Sequence, residues 1–406
     1  MGLCEYGRGK TYITYNIDHD KQTIIEYKCP RNSLLNKNHC EFHDNEYAQN
    51  NPDDVMKLFY GLVDDAIKNA KPLLCFGFYF PGKVDLTEKE FKNNVSVDFS
   101  YATFTESVNF SYATFTKTVN FSYATFTKTV NFSFATFTKE AYFLGSDFTG
   151  EVTFDKSNFP SPKSEREDKK IIPIIKFDYC TFRKRVQFIG ESEEEKPLHL
   201  GLVSFKGVDL SNVEFHNVKW QEIKELIFIT RNAIVDEKML GENGNYEEVS
   251  KIYNQLRKNY ESKLLFNEAS NFFVGEMEAI RRSLWIGIRE RKKIASIPYF
   301  LYKVLALYGE SYFLPMVIWT PALIGLFIAW RFITGECSLQ SVSNVISSPP
   351  TTHICTPKDF FIDSFAAYFQ FPRSTINPID TIERIVSIPI LGTAFIAIRR
   401  KFERTK

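Results

Sequence analysis

From Phe99 to Phe159 the apolar positions of this 406-residue chain follow a spacing that no helix produces. Phenylalanine recurs at steps of five and six: Phe99, Phe104, Phe110, Phe115, Phe121, Phe126, Phe132, Phe137, Phe143, Phe148, Phe154 and Phe159. A small residue, Val, Ala or Ser, stands two positions before each. An amphipathic helix needs apolar residues at spacings of three, four and seven, whereas residues two apart share a face only on extended backbone. The Thr, Val and Phe that dominate the stretch also favour pleated backbone. The pattern predicts short strands that send Phe and its small companion inward and polar residues outward. One phrase returns every eleven residues: Val108-Asn-Phe110 with Ala113-Thr-Phe115, then Val119/Phe121 with Ala124/Phe126, then Val130/Phe132 with Ala135/Phe137. Such repetition predicts a solenoid.

These phrases resemble the pentapeptide-repeat family in its eleven-residue, phenylalanine-rich form. The resemblance implies a mainly β fold, a right-handed quadrilateral β-helix with Phe stacked along the axis. Ile175/Phe177, Cys180/Phe182 and Val186/Phe188 continue the longer phrase, and Val203/Phe205, Val208/Leu210, Val213/Phe215 and Val218/Trp220 step evenly by five. The solenoid is therefore expected over residues 84–222, in about six coils and about 30 Å long at the usual strand spacing. Pro160 to Lys170 and Gly190 to Lys196 read as loops on its side.

The flanks change period. In residues 47–83, Asn51 is placed to cap a helix, with Pro52 in its first turn and Asp53 and Asp54 at its positive end. Val55, Leu58, Phe59, Leu62 and Ile67 would form its apolar stripe and cover the open end of the solenoid, with Leu73 to Phe80 as a lead-in strand beneath. Residues 223–308 predict a helical neck: Val249, Ile252, Tyr253, Leu256 and Tyr260, then Ala269, Phe272, Phe273, Met277 and Ile280, recur at helical spacing. A basic run from Arg281 to Lys293 follows, and Phe300, Leu301, Val304, Leu305 and Tyr308 form a stripe suited to a membrane interface.

In residues 309–406, Ser311 to Trp330 is a twenty-residue run without a charge, the length that crosses a bilayer. Ile385 to Ile398, between Arg384 and Arg399, reaches about seventeen residues if extended to Ile382, and the long basic side chains can snorkel to the surface. Basic residues at both outer flanks predict a transmembrane hairpin with both termini cytoplasmic; the alternative is one span and a surface-bound tail. Between the runs, Ser364 to Phe371 is a short re-entrant-like aromatic segment. Family members with this layout end in a potassium-channel-like helix pair, and Tyr308-Gly-Glu-Ser311 resembles their text. Here Phe371-Pro-Arg-Ser-Thr-Ile-Asn stands where a glycine-supported filter would be, so the resemblance implies a channel-like anchor without potassium selectivity.

Charge and cysteine usage narrow the function. With 50 Lys and Arg against 49 Asp and Glu, no nucleic-acid partner is indicated, and the outward Lys117, Lys128 and Lys139 argue against an acidic rod that imitates DNA. Met1 to Asp44 is polar and lacks an apolar core segment, so no signal peptide is expected there, and residues 1–46 read as a small metal-binding module. They hold Cys4, Cys29, Cys40 and His43, a set suited to a Cys3His structural zinc site, because Cys40 and His43 have the short spacing that lets two ligands reach one ion. Similar text opens members of the family. The alternative is three free thiols in a reducing compartment. Cys337 and Cys355 would share the loop between the spans, either bridged as a disulfide or as unpaired thiols. Gly-rich phosphate loops, a Ser/His/Asp order and paired carboxylates in apolar text are all missing, so an enzyme is not expected. The sequence points to a membrane-anchored scaffold for an unknown protein partner, with homo-oligomerisation through the membrane region. A non-potassium-selective channel subunit is second and a soluble regulator of a nucleic-acid enzyme third.

Overall fold

The computed structural model describes residues 2–8, 10–16, 21–93, 95–161, 174–191, 196–226, 229–240, 244–286, 290–334, 357–372 and 378–403. They form two compact units, Met1–Ile280 and Arg281–Lys406. The first unit opens with an antiparallel hairpin, Thr11–Asn16 against Lys21–Glu26. Helix α1 (Asn45–Asn50) follows, its first turn closed by the Asp44 carboxylate, which accepts a 2.8 Å hydrogen bond from the Tyr47 amide. Helix α2 (Pro52–Lys68) starts where Pro52 and the two aspartates place it. Its buried face is Val55, Met56, Phe59, Val63 and Ala66; Leu58 is exposed and Leu62 and Ile67 are half-buried. The helix carries apolar residues on two overlapping arcs, and packing chooses between them: the Phe59 ring meets the Phe80 ring edge-on at 4.8 Å. Asn51 makes no side-chain cap and donates instead to the Tyr47 carbonyl.

The solenoid is a stack of about five turns with four faces. On one face Leu73, Val97, Val119, Ala141, Ile175 and Val203 pair in parallel register. Thr103, Thr125, Asp147 and Thr181 follow Tyr79 on the next, and Val84, Val108, Val130, Val152, Val186 and Val213 line a third. Glu90, Thr114 and Thr136 make the fourth. Leu73 to Phe80 packs beneath α2 and is itself part of the first coil, so the solenoid starts before residue 84: Leu73 pairs with Val97 as each later coil pairs with its neighbour. Across the text inserted after Phe159 the ladder runs on, since Ala141 pairs directly with Ile175.

Phenylalanine fills the interior in four parallel columns. Phe80, Phe104, Phe126 and Phe148 stack at 4.7, 4.8 and 4.7 Å, and Phe110, Phe132, Phe154 and Phe188 at 5.0, 4.9 and 4.9 Å. These distances are close to the ~4.8 Å rise of parallel strands, so the backbone ladder sets the ring spacing. Outward polar residues do local work. Asn109, Asn120 and Asn131 accept from the amides of Ser111, Ser122 and Ser133, while the hydroxyls of Thr105, Thr116, Thr127, Thr138 and Thr149 donate to Phe carbonyls of the preceding coil.

The corners hold a feature the residue types conceal. Tyr101, Tyr112, Tyr123, Phe134 and Tyr179 have φ of 58–60°, the left-handed region that costs a side-chain-bearing residue ~1–2 kcal/mol. Stacking of Tyr101 on Tyr123 at 4.9 Å and of Tyr112 on Phe134 at 4.5 Å offsets that cost. Gly145 takes the same corner above Tyr123, where a Cβ would lie 2.7 Å from the ring.

A hairpin (Gln221–Leu226 with Ile229–Ala233), α3 (Val235–Met239), α4 (Tyr246–Ser262) and α5 (Phe266–Ile286) close the other end. The β-hairpin falls mostly within residues 223–308, where a helical neck was expected; it and α3 lie in charged text without a helical apolar stripe. Buried Arg231 explains them: it donates to Glu225 at 2.7 Å, to Glu237 at 2.8 Å and to the Tyr253 hydroxyl at 2.9 Å. The Phe columns run into Trp220, which packs 5.4 Å from both Phe215 and Phe272 and donates to the Tyr260 hydroxyl. Last-coil backbone is answered by α4, where Asn259 donates to the Leu210 and Val213 carbonyls and Gln255 accepts from the Leu210 amide. On α5 the buried face is Ala269, Phe272, Val274, Gly275, Glu278 and Ala279, with Phe273, Met277 and Ile280 only half-buried. A Cβ on Gly275 would stand 2.7 Å from the Tyr253 ring, and this close helix approach turns that face inward.

In the second unit, α6 (Glu290–Ala306) leads through Leu307–Gly309 to a π-helical turn, Leu314–Trp319, and α7 (Thr320–Thr334). Pro321 has no amide to donate, and the ladder slackens just before it, where the Thr320 hydroxyl donates to the Pro315 carbonyl at 2.8 Å. Helices α8 (Pro357–Tyr368) and α9 (Pro378–Glu403) complete the unit. Among the described residues, two helices are long and apolar enough to cross a bilayer, Leu314–Thr334 with 21 residues and Pro378–Glu403 with 26. The second is a single helix well beyond the fourteen-residue run that the uncharged text suggested.

Candidate functional site

Three short elements bring the opening cysteines together. Cys40 and His43 sit on the turn before α1, Cys29 follows the opening hairpin, and the Cys4 segment is held by the 2.8 Å bond from its amide to the Arg31 carbonyl. All four side chains are buried and their ligand atoms lie within 4.8 Å of one another. Cys40 Sγ is 3.2 Å and Cys4 Sγ 3.6 Å from His43 Nδ1, and Cys29 Sγ is 3.9 Å from Cys40 Sγ. A tetrahedral ion with bonds of ~2.3 Å to sulfur and ~2.0 Å to nitrogen needs ligand separations of about 3.5–3.8 Å. The set's separations of 3.2, 3.6 and 3.9 Å lie around that range, so its four side chains can hold such an ion.

Its surroundings fit as well. His43 Nε2 donates to the Phe76 carbonyl at 2.9 Å, which leaves Nδ1 with its lone pair toward the sulfurs and ties the cluster to the first coil. The Cys40 amide donates to Cys4 Sγ at 3.2 Å, and the Tyr6 ring covers the imidazole at 3.9 Å, nearly parallel. The Cys29 thiol is pushed down to about 4, chiefly by its hydrogen bond with Cys40, while Cys40 is pushed up as the donor in that pair and Cys4 is pushed up by burial. Four protein ligands would close the sphere of a bound ion, an arrangement that holds chain segments together and leaves no open position for a substrate.

The twelve phenylalanines from Phe99 to Phe159 are all buried, none more than 3% exposed. Cys337 and Cys355 lie outside the described residues, as do most of the two inserted loops and residues 373–377 of the segment in the filter position. Lys117, Lys128 and Lys139 are exposed, and so is Tyr112 at a corner.

Where α3 meets the last coils, one hydroxyl lies between two carboxyl groups: Ser204 Oγ is 2.5 Å from Asp178 and 2.5 Å from Asp236. A hydroxyl has one proton, so it can donate to only one of them, and the other must carry a proton to donate back. Burial first, and then the Asp178 charge, push Asp236 up to about 7. An acid raised in the fold stabilises it below the ordinary carboxyl range, and that contribution is lost as pH rises through the folded value. Thermal unfolding of the wild type is expected to fall from pH 5 to 8, with much of the slope absent in Asp236→Asn, whose amide stands in for the protonated acid. Equal slopes would contradict the shared proton.

Sequence periodicity also missed a buried ionic centre in the second unit. Arg331, in the last turn of α7, donates to Ser364 of α8 at 3.0 Å, to Asp380 at 2.6 Å and to Glu383 at 2.8 Å, both on α9. The four side chains are fully buried, and the centre joins three helices. The Tyr368 hydroxyl meets Thr320 at 2.7 Å, and its ring packs with Ile324 and Ile390, so α8 lies against both long helices. The signal available was Asp380 and Glu383, three apart on one helical face beside an apolar run.

The comparison with family models gives one match: pentapeptide repeats (9 copies), over residues 76–125 and 121–159. No curated protein and no solved structure matches the chain.

Proposed function

Residues 76–159 are pentapeptide repeats, and from that premise we propose that the protein is a membrane-anchored, non-enzymatic scaffold that presents the solenoid to a protein partner on the cytoplasmic side. The observation that carries the reading is the contrast between the two units. In the first, aromatic columns fill the interior and helices lie at both ends; the face through Asn120, Tyr142, Lys176 and Ser204 is covered, and the exposed positions of the other faces are mostly polar and suited to side-on contact. In the second, only 17% and 28% of the apolar windows of the two long helices are covered. A core helix of a soluble protein would be largely buried; these faces have the length and composition that lipid covers. Seven Lys or Arg against two Glu between residues 281 and 310, and five against one from 399 to 406, support cytoplasmic termini.

Zinc, held by Cys4, Cys29, Cys40 and His43, belongs to this reading as a structural ion that secures the opening module to the first coil. The solenoid side is tested by pull-down from detergent extract, wild type against a Tyr112→Ser, Lys117→Glu, Lys139→Glu variant. A partner lost from the variant is the expected result; the same proteins retained on both would contradict recognition through that side.

A channel-like subunit is the second reading, favoured by the position of α8 with Tyr368 against the middle of both spans. Ion flux through reconstituted protein would favour it over the scaffold.

A further inference from the structure

Among the described residues of its unit, nothing covers the apolar face of α6. Ile294, Ile297, Phe300 and Leu301 are between 49% and 64% exposed. Successive spacings of three, three and one place them along one side of the helix. The other end of α6 is anchored: the Val304 carbonyl accepts from the Trp319 indole at 2.9 Å, and Leu305 packs against the cluster of Ile324, Tyr368 and Ile390. Beside that anchor lies the basic end of α9, where Arg400 donates to the Tyr308 carbonyl at 3.0 Å and Lys401 sits over the Tyr312 ring. The uncovered face thus adjoins the end of the hairpin where basic residues concentrate, Lys293 and Lys303 before the first span and Arg399, Arg400 and Lys401 after the second; in sequence, Arg289, Arg291 and Lys292 directly precede Lys293. The stretch between the spans, residues 335–377, holds two basic and three acidic residues.

We propose that α6 lies in the cytoplasmic membrane interface, with Ile294, Ile297, Phe300 and Leu301 among the acyl chains and the basic run on anionic phospholipid headgroups. The proposal rests on the membrane reading above. Charge complementarity selects the occupant: an apolar face alone fits any leaflet, whereas an apolar face bordered by cations binds most strongly where headgroups are anionic. A surface of this kind makes the position of α6 depend on the lipid around it.

The test uses the full chain reconstituted in phosphatidylcholine vesicles with and without phosphatidylglycerol, read by amide hydrogen exchange. Amides of residues 294–303 are expected to exchange at least about tenfold more slowly with the anionic lipid, since each basic residue near such a surface contributes several-fold. Lys292→Gln with Lys293→Gln should remove most of that difference, and Ile297→Ser should speed exchange in both lipids. Residues 314–334 and 378–403 should be protected throughout. Equal α6 exchange in the two lipids, with the spans protected, would overturn the proposal; free exchange of the spans would overturn the membrane reading itself.

Discussion

Phe126→Ala should lower the stability of the solenoid by about 3–5 kcal/mol, the range for deleting a buried ring whose cavity cannot close. Phe126 is fully buried, with Phe104 at 4.8 Å below and Phe148 at 4.7 Å above. Strand pairing fixes those neighbours: Phe126 is in register with Phe104 and with Phe148, so neither ring can slide into the space without breaking backbone bonds. Exposed Lys128, two positions away, makes a matched control, and Lys128→Ala should stay within ~0.5 kcal/mol. Thermal or denaturant unfolding of the full chain in detergent, followed through the β signal, measures both. Similar shifts for the two variants would remove the aromatic columns as the source of the fold's stability.

Metal removal should have the second large effect. One equivalent of zinc per chain is expected after purification without chelator, and a strong chelator should unfold the opening module, since ~10–16 kcal/mol of apparent binding energy at neutral pH is shared with local folding. Cys29→Ser and His43→Ala should each lose the metal. Cys75→Ser, buried but outside the cluster, should retain it. Because the thiols must shed protons to bind, occupancy should fall as the solution is acidified. Metal analysis that finds none, in protein kept reduced, would end the claim. Retention by both cluster variants would show that the ion sits elsewhere.

What could be read from sequence divides along physical lines. Phenylalanine at alternating steps of five and six leaves almost no freedom: each ring must point inward on a two-residue strand, and the four-faced coil follows. The corner residues were opaque, because nothing in a tyrosine announces a left-handed φ; Tyr101 and Tyr112 adopt it through stacking on the next coil. The inner face of α2 was blurred by a second apolar arc through Leu58 and Leu62, and contact with Phe80 decides the matter. Cys40 and His43 stood out through their spacing, whereas the Phe76 carbonyl and the Tyr6 ring that complete the site come from chemistry that any residue could supply. Charged residues were the largest blind spot. Arg231 with Glu225 and Glu237, and Arg331 with Asp380 and Glu383, took no part in the sequence reading and form buried centres in the structure. The partners of Arg331 lie 49 and 52 positions away, beyond any local pattern, while those of Arg231 lie six away on either side and are buried by the packing of Tyr253 against them.

The membrane anchor is the central claim, and alkaline extraction of cell membranes tests it most directly. A chain held by two spans should remain in the pellet after a carbonate wash that strips peripheral proteins, while a variant ending after residue 286 should move to the supernatant. Full-length protein released into the supernatant by that wash would contradict the account.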